Sequence, residues 1–172
     1  MKGLIQVYTG NGKGKSTAAF GLTLRASGRG LKSIIIQFMK QGDTYGEHFA
    51  IEKIENIDIV SFGKPKFVNF KNPSKEDIDL VNEAFEFSKK TINGGKYDIV
   101  ILDEINIALH FKLLEVGKVI DILKNKPRHV EVVLTGRLAP KEIIDIADLV
   151  SEVVEIKHPY QKGIGAREGI EY

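Results

Sequence analysis

The chain has 172 residues, with 25 Lys+Arg against 23 Asp+Glu for a formal charge of +2, and 42% of its residues are hydrophobic. One compact domain spanning 1–172 is the expectation, with a core that needs no covalent staples, and the absence of cysteine excludes a disulfide framework, a zinc–thiolate site and a cysteine nucleophile. The interspersed charges lack the basic face of a nucleic-acid binder, no apolar run approaches the roughly 18 residues of a membrane span, and the N-terminus lacks a signal-peptide core, so a soluble cytoplasmic protein that binds neither nucleic acid nor membrane is expected.

Short apolar runs alternate with longer amphipathic stretches, the pattern of parallel strands joined by crossover helices. A strand over Leu4–Tyr8 leads through a glycine-rich turn into a helix over Ser16–Ser27, and strands follow at Ser33–Gln37 and Ile57–Ser61. The segment from Phe62 to Pro73 is irregular: Gly and Pro break its periodicity while aromatics remain, so it reads as a satellite of the core or a binding lid. A helix over Lys75–Ile92 starts at Ser74, with Asp77 as the capping partner. A strand at Ile99–Leu102, a helix at Glu115–Lys124, a strand at Val130–Leu134, a helix at Lys141–Ala147 with Pro140 in its first turn, and a strand at Val150–Ile156 complete the order. Several strands are almost continuous in Ile and Val, as strands covered on both faces are.

Chemistry concentrates where strands end. Between the first strand and first helix stands Thr9-Gly10-Asn11-Gly12-Lys13-Gly14-Lys15-Ser16-Thr17. Glycines let successive backbone N–H groups turn around an anion, the helix N-terminus points its positive end there, and Lys15 adds a point charge to the phosphates. Ser16 would offer its hydroxyl to Mg²⁺. A solvated glycine turn capping a helix would explain neither the Gly-Lys-Ser-Thr order nor its place after the first strand. The usual pattern has Gly where Thr9 stands, so the loop here begins one residue late. The fold expected around such a loop is α/β, a three-layer P-loop NTPase-like (RecA-like) arrangement of a mostly parallel sheet with helices on both faces.

The strand Ile99–Leu102 runs into Asp103-Glu104, an acidic pair where P-loop proteins hold Mg²⁺. Adjacent strand residues face opposite ways, so one carboxylate is expected to reach the metal and the other to hold a water or an outer hydrogen bond; a pair that simply caps a following helix is the other reading, which the P-loop disfavours. The strand before Thr135-Gly136-Arg137 brings Arg137 to the nucleotide side, where it could stabilise charge on a leaving phosphate; an exposed arginine in a turn is the other reading. Lys40, Gly46, Glu47 and Arg25 are candidates for nucleoside or phosphate contacts on position alone. His48, His110, His129 and His158 lack metal-ligand spacing and read as core or surface histidines.

Five blocks in order carry a resemblance: Gly10 to Gly21, Ile36-Gln37-Phe38-Met39-Lys40, Leu102 to Leu109, Leu134-Thr135-Gly136-Arg137, and Lys157-His158-Pro159 with Gly163 to Tyr172. They resemble the P-loop type of ATP:corrinoid adenosyltransferase, whose Asn-Gly-Lys-Gly-Lys core accounts for the late first glycine. The resemblance implies transfer of the 5′-deoxyadenosyl group of MgATP to cobalt(I) of a corrinoid, cobalamin or cobinamide, with release of triphosphate. It implies Gly10, Asn11, Gly12, Lys13, Gly14, Lys15, Ser16, Thr17 and Arg137 as nucleotide contacts, Ser16 and Glu104 as Mg²⁺ ligands, and Lys15, Glu104 and Phe67 as the residues of catalysis. Phe67 stands where the family's cobalt-side aromatic stands, in the corrinoid-side loop 62–73, with Phe62 and Phe70 nearby. The tryptophan usual two residues later is Asn69, and the first strand begins by Leu4 without the N-terminal extension of longer members, so cobalt(II) reduction and closure over ATP are the properties these differences bear on. The resemblance further implies a homodimer and electrons from a reduced flavoprotein. A P-loop ATPase or small-molecule kinase is the rival reading, and a nucleotide-binding regulatory module without turnover is a second. The Phe, Val and Lys of segment 62–73 suit the flat face of a macrocycle better than a phosphate.

Overall fold

The computed structural model describes residues 2–41 and 45–172. In chain order the elements are β1 (Ile5–Thr9), α1 (Lys15–Ser27), β2 (Ser33–Phe38), α2 (Gly46–Ile51), β3 (Ile57–Phe62), α3 (Lys75–Gly94), β4 (Ile99–Asp103), α4 (Ile105–His110), α5 (Val116–Lys124), β5 (Glu131–Thr135), α6 (Lys141–Ile146), β6 (Leu149–Glu152) and a 3₁₀ turn at Pro159–Lys162. The strands form one sheet in the order β3-β2-β4-β5-β1-β6, and every pairing is parallel. All strand ends that carry candidate site residues therefore lie on the same edge of the sheet.

The interior strands are buried on both faces, and alternation splits the core accordingly. Ile34, Ile36 and Phe38 of β2 pack with Val100 and Leu102 of β4 into one cluster under α3, α4 and α5. Ile35, Ile101 and Val133 point the other way and pack against Ala19 and Ala26 of α1 and Ile51 of α2. Helices thus cover both faces, as the order of elements requires.

Ser74 caps α3 in both directions: Asp77 N donates to Ser74 Oγ at 3.2 Å, and Ser74 N donates to Asp77 Oδ2 at 2.9 Å. Pro140 lies one position before the first turn of α6, as its N-cap. Two six-residue helices, α2 and α4, were not among the expected elements; each is too short for apolar periodicity to declare itself. The last strand stops at Glu152, four residues short of the expected Ile156, because its sole partner β1 ends at Thr9, opposite Glu152. Beyond it, Val154 and Ile156 are exposed.

Candidate functional site

The parallel register assembles the site. Gln37 of β2 lies between Ser61 of β3 and Asp103 of β4, and Thr135 ends β5 beside them. Each is two residues beyond an apolar residue of the α1 face, Ile59, Ile35, Ile101 and Val133, so a polar row crosses that face at the strand ends. Asp103 is its centre. Ser16 Oγ and Thr135 Oγ1 donate to Asp103 Oδ1 at 2.7 and 2.6 Å, while Lys40 Nζ at 2.8 Å and Gln37 Nε2 at 3.2 Å donate to Oδ2. Full burial pushes the Asp103 carboxyl up, but the Lys40 ammonium and the two hydroxyls outweigh it and hold the group below the usual carboxylate range.

Glu104 behaves oppositely. It leaves β4 in the left-handed region (φ 66°) and starts α4 without capping it by its side chain. Its N–H donates to Thr135 Oγ1 at 3.0 Å, and among the described residues no donor rests on its carboxylate. Burial, followed by the neighbouring Asp103 charge, pushes its pKa up. Gly136 stands against this side chain with φ 124°, and a Cβ there would crowd Glu104 Oε2. An acid desolvated in this way and left without a donor fits a divalent cation, and the Ser16 oxygen lines the same cavity with its lone pairs free, since Asp103 takes the Ser16 proton. Mg²⁺ characteristically takes only one or two protein groups, the rest being phosphate oxygens and water.

The P-loop wraps the other side. Lys15 opens α1 and is buried, its Nζ donating to Gly12 O at 2.6 Å, and burial pushes its pKa down. Gly10 has φ 95°, and a Cβ on it would run into the carbonyl of Val153. Gly12 N donates to that same carbonyl at 2.7 Å, so the chain beyond β6 is tied to the loop. The C-terminal segment then closes over it. Lys13 Nζ donates to Ile170 O at 2.9 Å and Glu171 Oε1 at 2.8 Å, and Arg167 Nη2 lies 3.1 Å from the same oxygen. Hydrogen bonds from Arg167 and Lys13 bring the Glu171 pKa down to about 2.

Among the described residues, two cavities adjoin Glu104. One, of about 440 Å³, is lined by the loop from Gly12 to Thr17, by Glu47 and by the C-terminal residues Gly169 to Tyr172. The second, of about 530 Å³, has an apolar floor of Phe38, Val68, Phe70 and Ile107 under a rim that includes Lys64, Lys66 and Phe67. Lys40, Tyr45, Glu104 and Arg137 line both. Phe67 is 95% exposed, on a loop pinned at each end: Lys64 Nζ lies 2.7 Å from Asp77 Oδ1, and Phe70 stacks on Phe111 with ring centroids 4.3 Å apart.

The structure thus brings together Gly12, Lys13, Gly14, Lys15, Ser16, Thr17, Glu104 and Arg137 around one cavity and puts Phe67 at the other. Gly10 and Asn11 belong to the loop without lining the cavity. Lys40, Gly46 and Glu47 also reach it, whereas Arg25, in the last turn of α1, is carried away by roughly 15 Å of helix. Thr135, Gln37 and Tyr45 were not foreseen in the site. Gln37 left one trace, an amide in the otherwise apolar run Ile34-Ile35-Ile36-Gln37-Phe38.

Comparison with known proteins gives a consistent picture. The family model described as ATP:corrinoid adenosyltransferase BtuR/CobO/CobP matches residues 1–172. A corrinoid adenosyltransferase of Sinorhizobium sp is 41% identical over 174 residues, covering 99% of this chain and 81% of the relative. One from Escherichia coli K12 is 34% identical over 173 residues, covering 99% and 86%. Among solved structures, the flagellar accessory protein FlaH of Methanocaldococcus jannaschii superimposes with a TM-score of 0.60 at 11% identity, over 88% of this chain and 71% of that one. A KaiC-like protein of Pyrococcus horikoshii gives 0.57 at 18% identity, over 91% and 75%. These two likenesses concern the fold, which is P-loop NTPase-like. No helix among the described residues is long and apolar enough to cross a membrane.

Proposed function

The chain belongs to the BtuR/CobO/CobP family of ATP:corrinoid adenosyltransferases, and from that premise we propose that ATP occupies the P-loop cavity, the corrin ring of cobalamin or cobinamide lies in the apolar one, and the 5′-deoxyadenosyl group passes between them. The observation that carries this reading is the shared wall: a nucleotide and a macrocycle in the two cavities would meet at Lys40, Tyr45, Glu104 and Arg137.

Cobalt(I) is the nucleophile. Its electron pair forms the bond to C5′ as the C5′–O bond breaks, that bond's electrons leave on triphosphate, and cobalt ends as alkylcobalt(III). No proton is removed from the nucleophile, so no general base is needed, and positioning with charge stabilisation accounts for the acceleration. Lys15 and Lys13 neutralise the triphosphate, and Arg137, exposed at the wall, balances charge on the leaving oxygen. Ser16 and Glu104 are the residues that would hold Mg²⁺, which when bound neutralises charge developing on the leaving group. Asp103 orients both, Ser16 directly and Glu104 through Thr135.

Phe67, at the exposed tip of the 62–73 loop, displaces the lower ligand of the corrinoid substrate's cobalt(II) so that it can be reduced, and the anchors Phe70 and Lys64 keep the loop in place for it. With no cysteine to supply a redox centre, electrons come from a partner, which we take to be a reduced flavoprotein; a cytoplasmic homodimer completes the reading. A P-loop ATPase or kinase would have little use for the second cavity's apolar floor. The experiment compares Phe67→Ala with the parent on corrinoid presented as cobalt(II) and as chemically prepared cobalt(I). MgATP affinity is expected to stay unchanged while the cobalt(II) reaction slows more than the cobalt(I) reaction; equal losses on both would remove the ligand-displacing role.

A further inference from the structure

His48 is buried on α2 and approaches none of the cavity-lining atoms through a recognised metal or nucleophile pattern, yet it ends the polar row described above. Its Nε2 lies 2.7 Å from Gln37 Oε1, and Ser61 Oγ donates to that same oxygen at 2.8 Å. The direction of these bonds follows from the far end of the row. Asp103 is paired with the Lys40 ammonium and accepts from two hydroxyls, so it has no proton to offer, and the Gln37 group facing it must be the NH₂. The Gln37 oxygen then faces His48, and His48 must carry its proton on Nε2. The order of donors is therefore fixed: His48 and Ser61 to Gln37, and Gln37 to Asp103.

Gln37 and Asp103 are cross-strand neighbours, so this amide needs no help to reach the acid; what it needs is a defined orientation. A flipped amide would turn its oxygen on the Asp103 carboxylate, which opposes the reversal, while the His48 Nε2–H and the Ser61 hydroxyl hold the oxygen at the other end. The same contact fixes α2. Gly46 and Glu47, immediately before His48, line the nucleotide cavity, and of the bonds from α2 to the sheet the one from His48 leads to the acid that orients Ser16.

We infer that His48 is a positioning residue for metal–nucleotide binding: by holding the oxygen of Gln37 it braces the donor set on Asp103 and ties the α2 wall of the nucleotide cavity to the P-loop hydroxyl. The inference rests on the reading of the first cavity as the nucleotide site, and not on what the second cavity holds. Removing groups that orient metal ligands typically costs ten- to a hundredfold in affinity, and this one acts through an intermediary, so about tenfold is expected.

The test uses the full chain and needs no corrinoid for its main arms. Nitrogen-15 NMR of the histidine ring is expected to find Nε2 protonated at neutral pH; a bare Nε2 with the proton on Nδ1 would overturn the inference outright. Calorimetric titration with Mn²⁺·ATP is expected to give binding about tenfold weaker in His48→Ala and within about twofold of the parent in His48→Gln, whose amide can present an N–H near the Nε2 position. In turnover, the KM for ATP should rise by the same factor in His48→Ala, with kcat and the corrinoid KM within about twofold. Unchanged Mn²⁺·ATP binding with only a lower melting temperature or a lower kcat would make His48 a packing residue and sink the proposal. Should His48→Ala fail to fold, Ser61→Ala removes the other donor to Gln37 and is expected to weaken Mn²⁺·ATP about threefold; no weakening there would count against the row. If the reaction products proved to be ADP and phosphate, the adenosyl-transfer reading would fall while these binding results still decided the role of His48.

Discussion

Ser16 donates its hydroxyl proton to Asp103 Oδ1 at 2.7 Å, so the P-loop serine is oriented by a carboxylate with no solvent exposure at all. The acid at the end of β4 therefore spends its oxygens on neighbouring side chains, and Glu104, the next residue, is the carboxylate on which no donor rests among the described residues, which is why the proposed cation is placed there.

Asp103→Asn tests that arrangement. The substitution leaves the partly buried Lys40 ammonium without its counter-charge and presents an amide NH₂ to donors. Breaking a buried pair by removing one partner costs about 3 kcal/mol or more, so urea unfolding of the ligand-free protein should lose stability of that order, and Mn²⁺·ATP binding should fall with it. A variant of parental stability would mean that Lys40 and Asp103 are not coupled.

Glu104→Gln should do the reverse to the fold. A carboxylate whose pKa is pushed up by burial is a destabilised charge, and its neutral isostere removes that cost. The ligand-free melting temperature is expected to be equal or higher, while metal-dependent turnover drops roughly a hundredfold. A lower melting temperature with retained activity would assign Glu104 to structure.

Glu171 holds Lys13 in an ion pair at 2.8 Å, so under the proposed reading it would compete with triphosphate for that ammonium. In Glu171→Gln the ammonium is released from its ion pair, and calorimetry with inorganic triphosphate should show binding tightened about two- to fivefold, the scale of an exposed ion pair, with the gain shrinking at high salt. Weaker binding would mean that the C-terminal segment helps hold the anion.

The acid limb of stability reports the anchor of the 62–73 loop. Asp77 has its pKa lowered, first by the Lys64 hydrogen bond and then by Ser74. A carboxylate lowered in the fold contributes stability that is present above its unfolded pKa, near 3.8, and lost as pH falls through the lower folded value. Asp77→Asn should therefore flatten the stability profile below about pH 4, and Ser74→Ala should cost about 1 kcal/mol at neutral pH through loss of the cap. An unchanged acid limb in Asp77→Asn would disconnect Asp77 from the anchor.

Much of this was legible in the chain because local pattern and tertiary role coincide. The run from Leu4 to Ser27 reads as strand, cradle and helix, and it folds as β1, loop and α1; Ile99 to Glu104 reads as a buried strand ending in acids, and it does. What stayed hidden depends on register. Gln37, Ser61 and Thr135 look like unrelated polar residues until β3, β2, β4 and β5 align them, and no sequence spacing encodes that alignment. His48 read as an ordinary core or surface histidine for the same reason. Val150 to Ile156 read as a longer strand because apolar alternation continues where the partner strand has ended. The closing of Gly169 to Tyr172 over Lys13 joins residues more than 150 positions apart, beyond any local signal.

The central claim is that the bond broken lies between C5′ and the triphosphate, and phosphorus NMR of the spent nucleotide measures it most directly. With ATP, Mg²⁺ and chemically reduced cobinamide, intact inorganic triphosphate is expected in equal amount to an adenosylated corrinoid, and neither in Lys15→Ala. ADP with inorganic phosphate, and no alkylated corrinoid, would contradict it.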